Sequence, residues 1–507
     1  MFPRGCFLHQ GKRGGSLLAT AAFPLTCLDK FLLVEIMTSN FTVFCPRARS
    51  LRRSTLGAMS CLSLFAPSGA FAQNASGGVA GGVAGGAADT TPRNSVPMTA
   101  AQTAKQNFES NYLLGDWGGA RTALWELGID PQFLLITDPY GNPTGGKKQG
   151  FATYSMFCAD LGIDTERAFA LPGGEFDVGF SVNFGSQLTQ DYVGNVFPIQ
   201  SSDVAPEGAR LTNLSYTQAF FGEKLSIRGG RFSLDALYGE EFAGSEYFRA
   251  FTSVAFNAIP FAIFYNAPGP FGYPATTWGA RVKVEPTDDW YVMGAVYDGN
   301  PDAALADEHG LDFSFEGPPL GVGEIGLRFN QKEGDTGLPG NLKFGGFVLG
   351  GEVEEFGSTE EGSGRYGFYV VGDQMLVRLG GPSENRHLGI FGSVVVAPDQ
   401  EVSPMPYFFS GGLVAYGPFE SRPKDFLALG VAYGAFSDDL RAAQQAAQLT
   451  DPTVEAQLFE MTLEASYGVQ VRPGLMLQPG MQLIINPGGS PDVDPALAIG
   501  VNAILSF

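Results

Sequence analysis

The 507-residue chain is 44% hydrophobic and 16% charged, with a mean hydropathy of +0.03 and a formal net charge of −21. No window supplies the roughly 20 consecutive apolar residues of a membrane helix, and the acidity argues against a nucleic-acid partner. A chain that crosses lipid with strands escapes the first exclusion, because each strand carries too weak an apolar signal for hydropathy to detect.

The N-terminal region reads as an export signal over residues 1–72. Arg47, Arg49, Arg52 and Arg53 form a basic segment, Leu56 to Ala66 an apolar one, and Ala70-Phe71-Ala72 a small-x-small cleavage site before Gln73. Residues 1–36 fit this signal poorly, which makes Met37 a plausible start. Cleavage after Ala72 would remove four of the five cysteines (Cys6, Cys27, Cys45, Cys61) and leave Cys158. An intrachain disulfide and a two-cysteine metal or redox site are then excluded. Lys plus Arg would fall from 31 to 23 and Asp plus Glu from 52 to 50, for a mature net charge of 23 − 50 = −27.

Residues 73–106 read as a flexible Gly/Ala-rich linker, since the Gly-Gly-Val-Ala repeat over 77–86 can bury no core. Residues 107–129 read as a short periplasmic helical segment, with Asp116 near the N-cap and Gly128 as the stop.

From 130 to 507 the pattern changes to period two. Sixteen strand-like segments follow: 130–138, 154–165, 175–187, 210–221, 224–233, 278–286, 290–298, 322–330, 341–350, 366–379, 387–397, 407–416, 425–436, 458–472, 475–486 and 496–507. In 175–184, Phe176, Val178, Phe180, Val182 and Phe184 take one parity, and Glu175, Asp177, Gly179, Ser181 and Asn183 the other. Such alternation suits a strand with one apolar face. Connections after the fourth, sixth and fourteenth strands are tight, whereas those after the fifth, seventh, ninth and thirteenth (234–277, 299–321, 351–365, 437–457) are long. Short turns at one end and long loops at the other predict an all-β fold, a transmembrane antiparallel β-barrel of sixteen strands with both termini in the periplasm. A sandwich has no reason to produce this asymmetry. The final segment, with Leu497, Ile499, Val501, Ala503, Leu505 and Phe507 on one parity, is expected to close the barrel.

The connection 234–277 is the outlier. A loop this long in a compact protein is usually functional, and its eleven Phe and Tyr side chains predict that it packs inside the lumen rather than waving outside. Arg228, Arg231, Asp235, Glu240, Glu241, Glu246 and Arg249 lie on or beside it. Arg281 and Lys283 oppose the apolar Val282 and Val284 on the next strand and are expected to face the lumen. No Gly-x-Ser-x-Gly elbow occurs, and the mature chain would hold only His309 and His387, so no catalytic cluster, cofactor or metal site is expected.

Several stretches resemble the carbohydrate-selective porin family, the glucose-inducible outer-membrane porins of Gram-negative bacteria. One runs from Tyr112 to Gly119, with Arg121 and Gly128-Ile129. Leu171-Pro172-Gly173-Gly174 and Asp191-Tyr192-Val193-Gly194-Asn195 form a second. Phe409 to Leu413, Gly430 to Gly434 and Phe436 to Asp439 form a third, and Leu477-Gln478-Pro479 with Ile484 to Gly489 a fourth. The resemblance implies a sixteen-stranded barrel that passes monosaccharides and related small polar solutes by diffusion, with Arg, Glu and aromatic residues at the constriction. It also implies that Phe507 is an assembly signal read by the insertion machinery, and that the barrel contacts outer-membrane lipid and lipopolysaccharide as a monomer or homotrimer. Arg228 matches a basic residue usual in its strand. Two other readings stay open here: a general or cation-preferring porin, favoured by the net charge, and a non-pore structural β protein.

Overall fold

The computed structural model describes residues 99–203, 207–234, 242–267, 276–300, 309–311, 313, 315–332, 334–381 and 385–507. The expected signal peptide and most of the expected linker lie outside these residues.

The first described element starts earlier than the sequence suggests. Helix α1, Ala100–Asn111, begins inside the segment read as linker, because Thr99 and Gln102 form a reciprocal capping box. Helix α2, Ala120–Glu126, follows a short 3₁₀ turn. Asp116 accepts from the Thr122 backbone N–H (2.8 Å) and hydroxyl (2.7 Å), so it caps α2 from four residues upstream of the first turn. Between the helices Arg121 is fully buried, its guanidinium 3.6 Å from the Tyr112 ring centre and 4.7 Å from that of Phe108. Burial pushes the Tyr112 hydroxyl up to about 12 and lowers Arg121 from its ordinary value.

Sixteen strands follow. They are β1 (Ile129–Thr144), β2 (Gly150–Asp164), β3 (Gly174–Gly185) and β4 (Gly208–Phe220). Next come β5 (Leu225–Phe232), β6 (Thr277–Thr287), β7 (Trp290–Asp298) and β8 (Pro319–Phe329). The second half has β9 (Gly340–Glu354), β10 (Glu361–Arg378), β11 (His387–Val396) and β12 (Tyr407–Tyr416). It ends with β13 (Phe426–Ala435), β14 (Phe459–Arg472), β15 (Leu475–Ile485) and β16 (Ala496–Ser506). Each pairs antiparallel with its sequence neighbours, and β1 pairs with β16, from Leu134↔Ser506 to Thr144↔Leu497, to close the barrel. Closure removes the unpaired edges that an open sheet would present to lipid.

The alternation sorts as expected. Phe180, Val282, Val284, Val292, Phe344, Val394, Leu429 and Ile499 are exposed on the outer wall, a continuous apolar belt that water would not tolerate. Asp177, Ser181, Arg281, Glu324 and Glu464 are buried on the inner face. At the end carrying the termini, β4–β5, β6–β7 and β14–β15 join tightly. The 351–365 connection is not a long loop: β9 and β10 continue past the wall as a ribbon paired up to Glu354↔Glu361, with a register shift between Ser363 and Arg365. The bulge interrupts the period-two pattern and hides the strand from a sequence reading.

The α1–α2 segment seals the seam at this end. Arg121 Nη1 donates to the Phe507 carbonyl (2.8 Å) and Nη2 to that of Pro131 (2.9 Å), which joins β16 to β1. Leu113 N–H donates to Ser506 O (2.7 Å). Gly474, in the β14–β15 turn, has φ +69°, and a side chain there would sit 2.0 Å from Leu113 N, so the turn can take only glycine beneath the passing chain.

Candidate pore constriction and solute path

The longest connection is 233–276, hereafter L3, and its described residues 242–267 fold into the barrel. Wall carboxylates hold it. Glu324 on β8 accepts from Ala243 N–H (2.7 Å), Tyr291 OH (2.6 Å) and Tyr369 OH (2.9 Å). Lys343 Nζ on β9 donates to Gly244 O (2.8 Å), and Ser245 Oγ donates to Asp373 on β10 (2.8 Å). Beyond a 3₁₀ turn at Glu246–Ala250, Glu464 on β14 accepts from Thr252 N–H (2.7 Å), Thr252 Oγ1 (3.0 Å) and Ser253 N–H (2.9 Å). The loop ends in helix α4 (Phe261–Asn266), α3 being the turn Thr165–Phe169. Asn266 Nδ2 donates to Met405 O (2.7 Å), and Met405 N–H donates to Asn266 Oδ1 (2.9 Å), near the far rim.

Between these anchors the loop packs as a hydrophobic core. Phe248 and Phe251 each stand edge-on to Phe391 at 5.4 Å, and Phe251 stacks on Phe256 at 4.7 Å. Wall glycines make room: a Cβ on Gly430 would lie 2.7 Å from Phe251 and 3.0 Å from Phe256. Tyr291, Met293, Val322, Phe347, Val371, Phe408 and Ala432 complete the cluster. The inner face of β7–β13 is thus a packed wall. Residues 186–203, in the connection between β3 and β4, fill the barrel beside β1 and β14–β16 in the same way. Glu460 accepts from Val196 and Phe197 N–H (both 2.7 Å), and Asp138 accepts from Ser201 Oγ (2.9 Å) and Ser202 Oγ (3.1 Å).

On β4–β6 and the terminal-end half of β8 the inner face carries cations. Arg228 and Arg281 are direct cross-strand partners. Arg228 Nε donates to Ser215 Oγ (3.1 Å) and its guanidinium lies 4.5 Å from the Phe232 ring centre. Arg281 Nη1 donates to Ser226 Oγ (2.6 Å). Two residues on, Lys283 pairs with Glu285, which also receives Arg328 Nη1 at 2.8 Å. Lys283 and Arg328 flank the Tyr291 ring at 4.9 and 5.0 Å, and the Tyr291 hydroxyl reaches Glu324, the L3 anchor. Lys283, Glu285 and Arg328 keep about a quarter of each side chain exposed. The cluster therefore offers fixed, partly exposed donors backed by the buried Tyr291 ring. Guanidinium donors in a rigid fork can replace water around hydroxyls.

Of the residues singled out from sequence, Arg228, Arg281 and Lys283 come together here. Arg231 does not. It pairs with Leu214 and Trp278, both on the outer parity, and its Nε donates to Thr276 Oγ1 (3.0 Å). It is 2% exposed on the outside of the wall. Parity counted from Arg228 would have shown this; proximity to the loop misleads. Glu246 and Arg249 are exposed on the 3₁₀ turn, where Tyr416 OH of β12 donates to the Glu246 carbonyl (3.4 Å). Asp235, Glu240 and Glu241 lie outside the described residues. Sequence reasoning missed Tyr291, Arg328, Glu285 and the anchors Glu324, Asp373 and Glu464. Each is a polar or aromatic residue at an inner-parity position of an otherwise apolar strand, a legible signal.

This architecture has known counterparts. The profile of the "Carbohydrate-selective porin, OprB family" matches residues 148–507, more than half of the chain. Porin B of Pseudomonas aeruginosa is 28% identical over 426 residues, covering 77% of this chain and 90% of that protein. The putative porin QuiX of Acinetobacter baylyi is 22% identical over 421 residues, covering 79% and 94%. The high-pH structure of Pseudomonas putida OprB superposes with a TM-score of 0.72 at 25% identity, covering 79% of this chain and 99% of that one. The family model spans most of the barrel described above, and the chain belongs to that family: a carbohydrate-selective porin of the Gram-negative outer membrane.

Proposed function

We propose that sugars pass along the inner face of β4–β6 and β8, and that Arg228, Arg281, Lys283 and Arg328, with Glu285, set the selectivity, the buried Tyr291 ring holding Lys283 and Arg328 in place. The observation that carries this is the Arg228↔Arg281 pair, two residues along the wall from the Lys283–Glu285–Arg328 cluster. A sugar presents hydroxyls to such donors. Conduction also needs weak, multiple contacts, because tight binding would stop release. The exposed Arg249 and Glu246 on the 3₁₀ turn of L3 border the same lumen and are proposed to narrow it. Passage involves no bond-breaking chemistry. Phe507 is proposed as the assembly signal, and the outer rim as the contact with lipopolysaccharide.

Swelling of liposomes containing the purified protein, across a panel of sugars and amino acids, tests this reading. Neutral monosaccharides should enter faster than amino acids of equal size. Equal rates for both, or a preference for cations over sugars in single-channel records, would overturn it.

A further inference from the structure

The described residues 309–311, 313 and 315–318 of the connection between β7 and β8 lie against the wall. Leu211 N–H of β4 donates to His309 O (2.8 Å), and His309 Nδ1 lies 3.2 Å from Ala209 O. The backbone at Gly310 (φ +65°) presses so closely on β4 that a side chain there would lie 2.3 Å from Leu211 O. β5 stops at Phe232, pairing with β4 only as far as Leu214, so this segment reaches the part of β4 that β5 leaves unpaired. Phe313 and Phe315 then stack on Trp278 at 5.4 and 5.9 Å. Trp278 shares the outer parity with Val282 and Val284, so the segment lies on the outside of the wall. Leu311, Phe313 and Phe315 are 56%, 57% and 70% exposed there.

The position of this patch decides what covers it. Trp290, Phe329 and Phe220 are exposed on the outer face at the terminal end, one aromatic edge of the apolar belt. Trp278 stands near the other end of β6, nine residues above Thr287, which pairs with Trp290. At about 3.3 Å per residue and a tilt of about 40°, that is about 23 Å along the membrane normal, close to the ~25 Å height of an outer-membrane barrel's apolar band. The patch therefore continues the lipid-facing belt at its opposite edge. Beside it lies Arg231, a charge on the outer parity of β5 that would be costly in contact with lipid.

We infer that the described residues between His309 and Pro318 form an external strap, seated on β4–β6 and inserted through Leu311, Phe313 and Phe315 among the acyl chains of the membrane leaflet at the loop end. The strap screens the Arg231 region of the wall and restores an apolar exterior where the sequence of β5 breaks it.

The test is spin-label accessibility in phosphatidylcholine vesicles. Phe313→Cys and Phe315→Cys are made separately in a Cys158→Ala background and labelled with a nitroxide. Val284→Cys on the lipid-facing wall and Leu449→Cys on an exposed loop serve as references. We expect collisions with oxygen to exceed those with a water-soluble nickel chelate at both strap positions, with a ratio matching Val284 and several-fold above Leu449. A nickel-dominated signal would place the strap in water and overturn the inference. Low access to both reagents would mean that protein, such as a second copy of the chain, covers the patch, and would overturn it equally. Recovery of each labelled protein as heat-modifiable barrel shows that the label reports on the folded state.

Discussion

The two sides of this lumen are built on the same alternation and end as opposites. On β7–β13 Tyr, Phe, Val, Met and Gly dominate the inner residues, with Glu324, Lys343 and Asp373 as anchors among them, and L3 lies on them as on a protein core. On β4–β6 they include Ser215, Arg228, Arg281 and Lys283, of which Arg228 and Lys283 stay partly exposed while Ser215 and Arg281 are buried. The charges are divided accordingly. Glu324, Asp373 and Glu464 are spent on backbone N–H and hydroxyl groups of the loop, whereas Arg228, Arg281, Lys283 and Arg328 line the remaining space. A net charge of −21 therefore says little about the pore, because Glu324, Asp373 and Glu464 serve as anchors and Glu285 is paired with Lys283 and Arg328. Lumen-facing parity specifies neither core nor path; what the opposing loop offers decides between them.

Breaking an anchor should blur that division most. Glu464→Ala removes the acceptor of three buried donors, at a cost of about 3–5 kcal/mol. The expected outcome is higher single-channel conductance, weaker discrimination among sugars, and faster hydrogen exchange at Thr252 and Ser253. Glu464→Gln, which keeps one acceptor oxygen, should fall between. Overfilling the packed wall comes next. Gly430→Val would force Phe251 and Phe256 off β13, at about 1–3 kcal/mol. It should lower the temperature at which the barrel loses its compact gel mobility and shift L3 without touching a path residue.

Removing the cations should instead change selectivity and spare the fold. Arg228→Ala with Arg281→Ala deletes donors that are only half-buried or wall-bonded, and stability should move by less than about 2 kcal/mol, as for hydrogen bonds to charged groups. Sugar block of ion current should weaken and cation preference rise. Unchanged block and selectivity in planar bilayers would show that these arginines are bystanders.

The smallest expected effect is a pH response away from both walls. Burial would raise the Asp425 carboxyl, but Arg422 (2.8 and 2.9 Å), Tyr467 OH (2.6 Å) and Gln470 N–H (3.0 Å) hold it below the usual carboxylate range. A carboxylate with a depressed folded-state value contributes stability that is present above its unfolded value, about 3.9, and is lost as pH falls through the folded one. The protection factor against amide exchange at Gln470, corrected for the intrinsic rate at each pH, should thus be flat near neutrality and fall only in strong acid. Asp425→Asn should abolish that dependence.

Sixteen strands were legible because alternation survives in each, and β7 and β12 end where the pattern does. The α1 helix was not, since AAQTAKQNFESN has little apolar periodicity and is set by its cap. The β9–β10 ribbon was lost at a bulge. Parity alone gave Arg228, Arg281 and Lys283, but Arg328 meets Glu285 from 43 residues away, a closeness created by the barrel and not by spacing. Arg231 was misread because it was picked for its closeness to the loop, although it lies within the strand on the parity opposite Arg228.

The Arg121 bridge has a kinetic consequence. It ties residue 121 to residue 507, a sequence separation of 386, and needs β1 and β16 already side by side. A contact that closes so long a chain forms only after the strands between are ordered. Interactions that appear after the rate-limiting step govern how slowly a structure comes apart and leave its rate of formation alone. The seam of this barrel is then protected by its last-made bond, and the lifetime of the closed ring is set by the element that precedes its first strand.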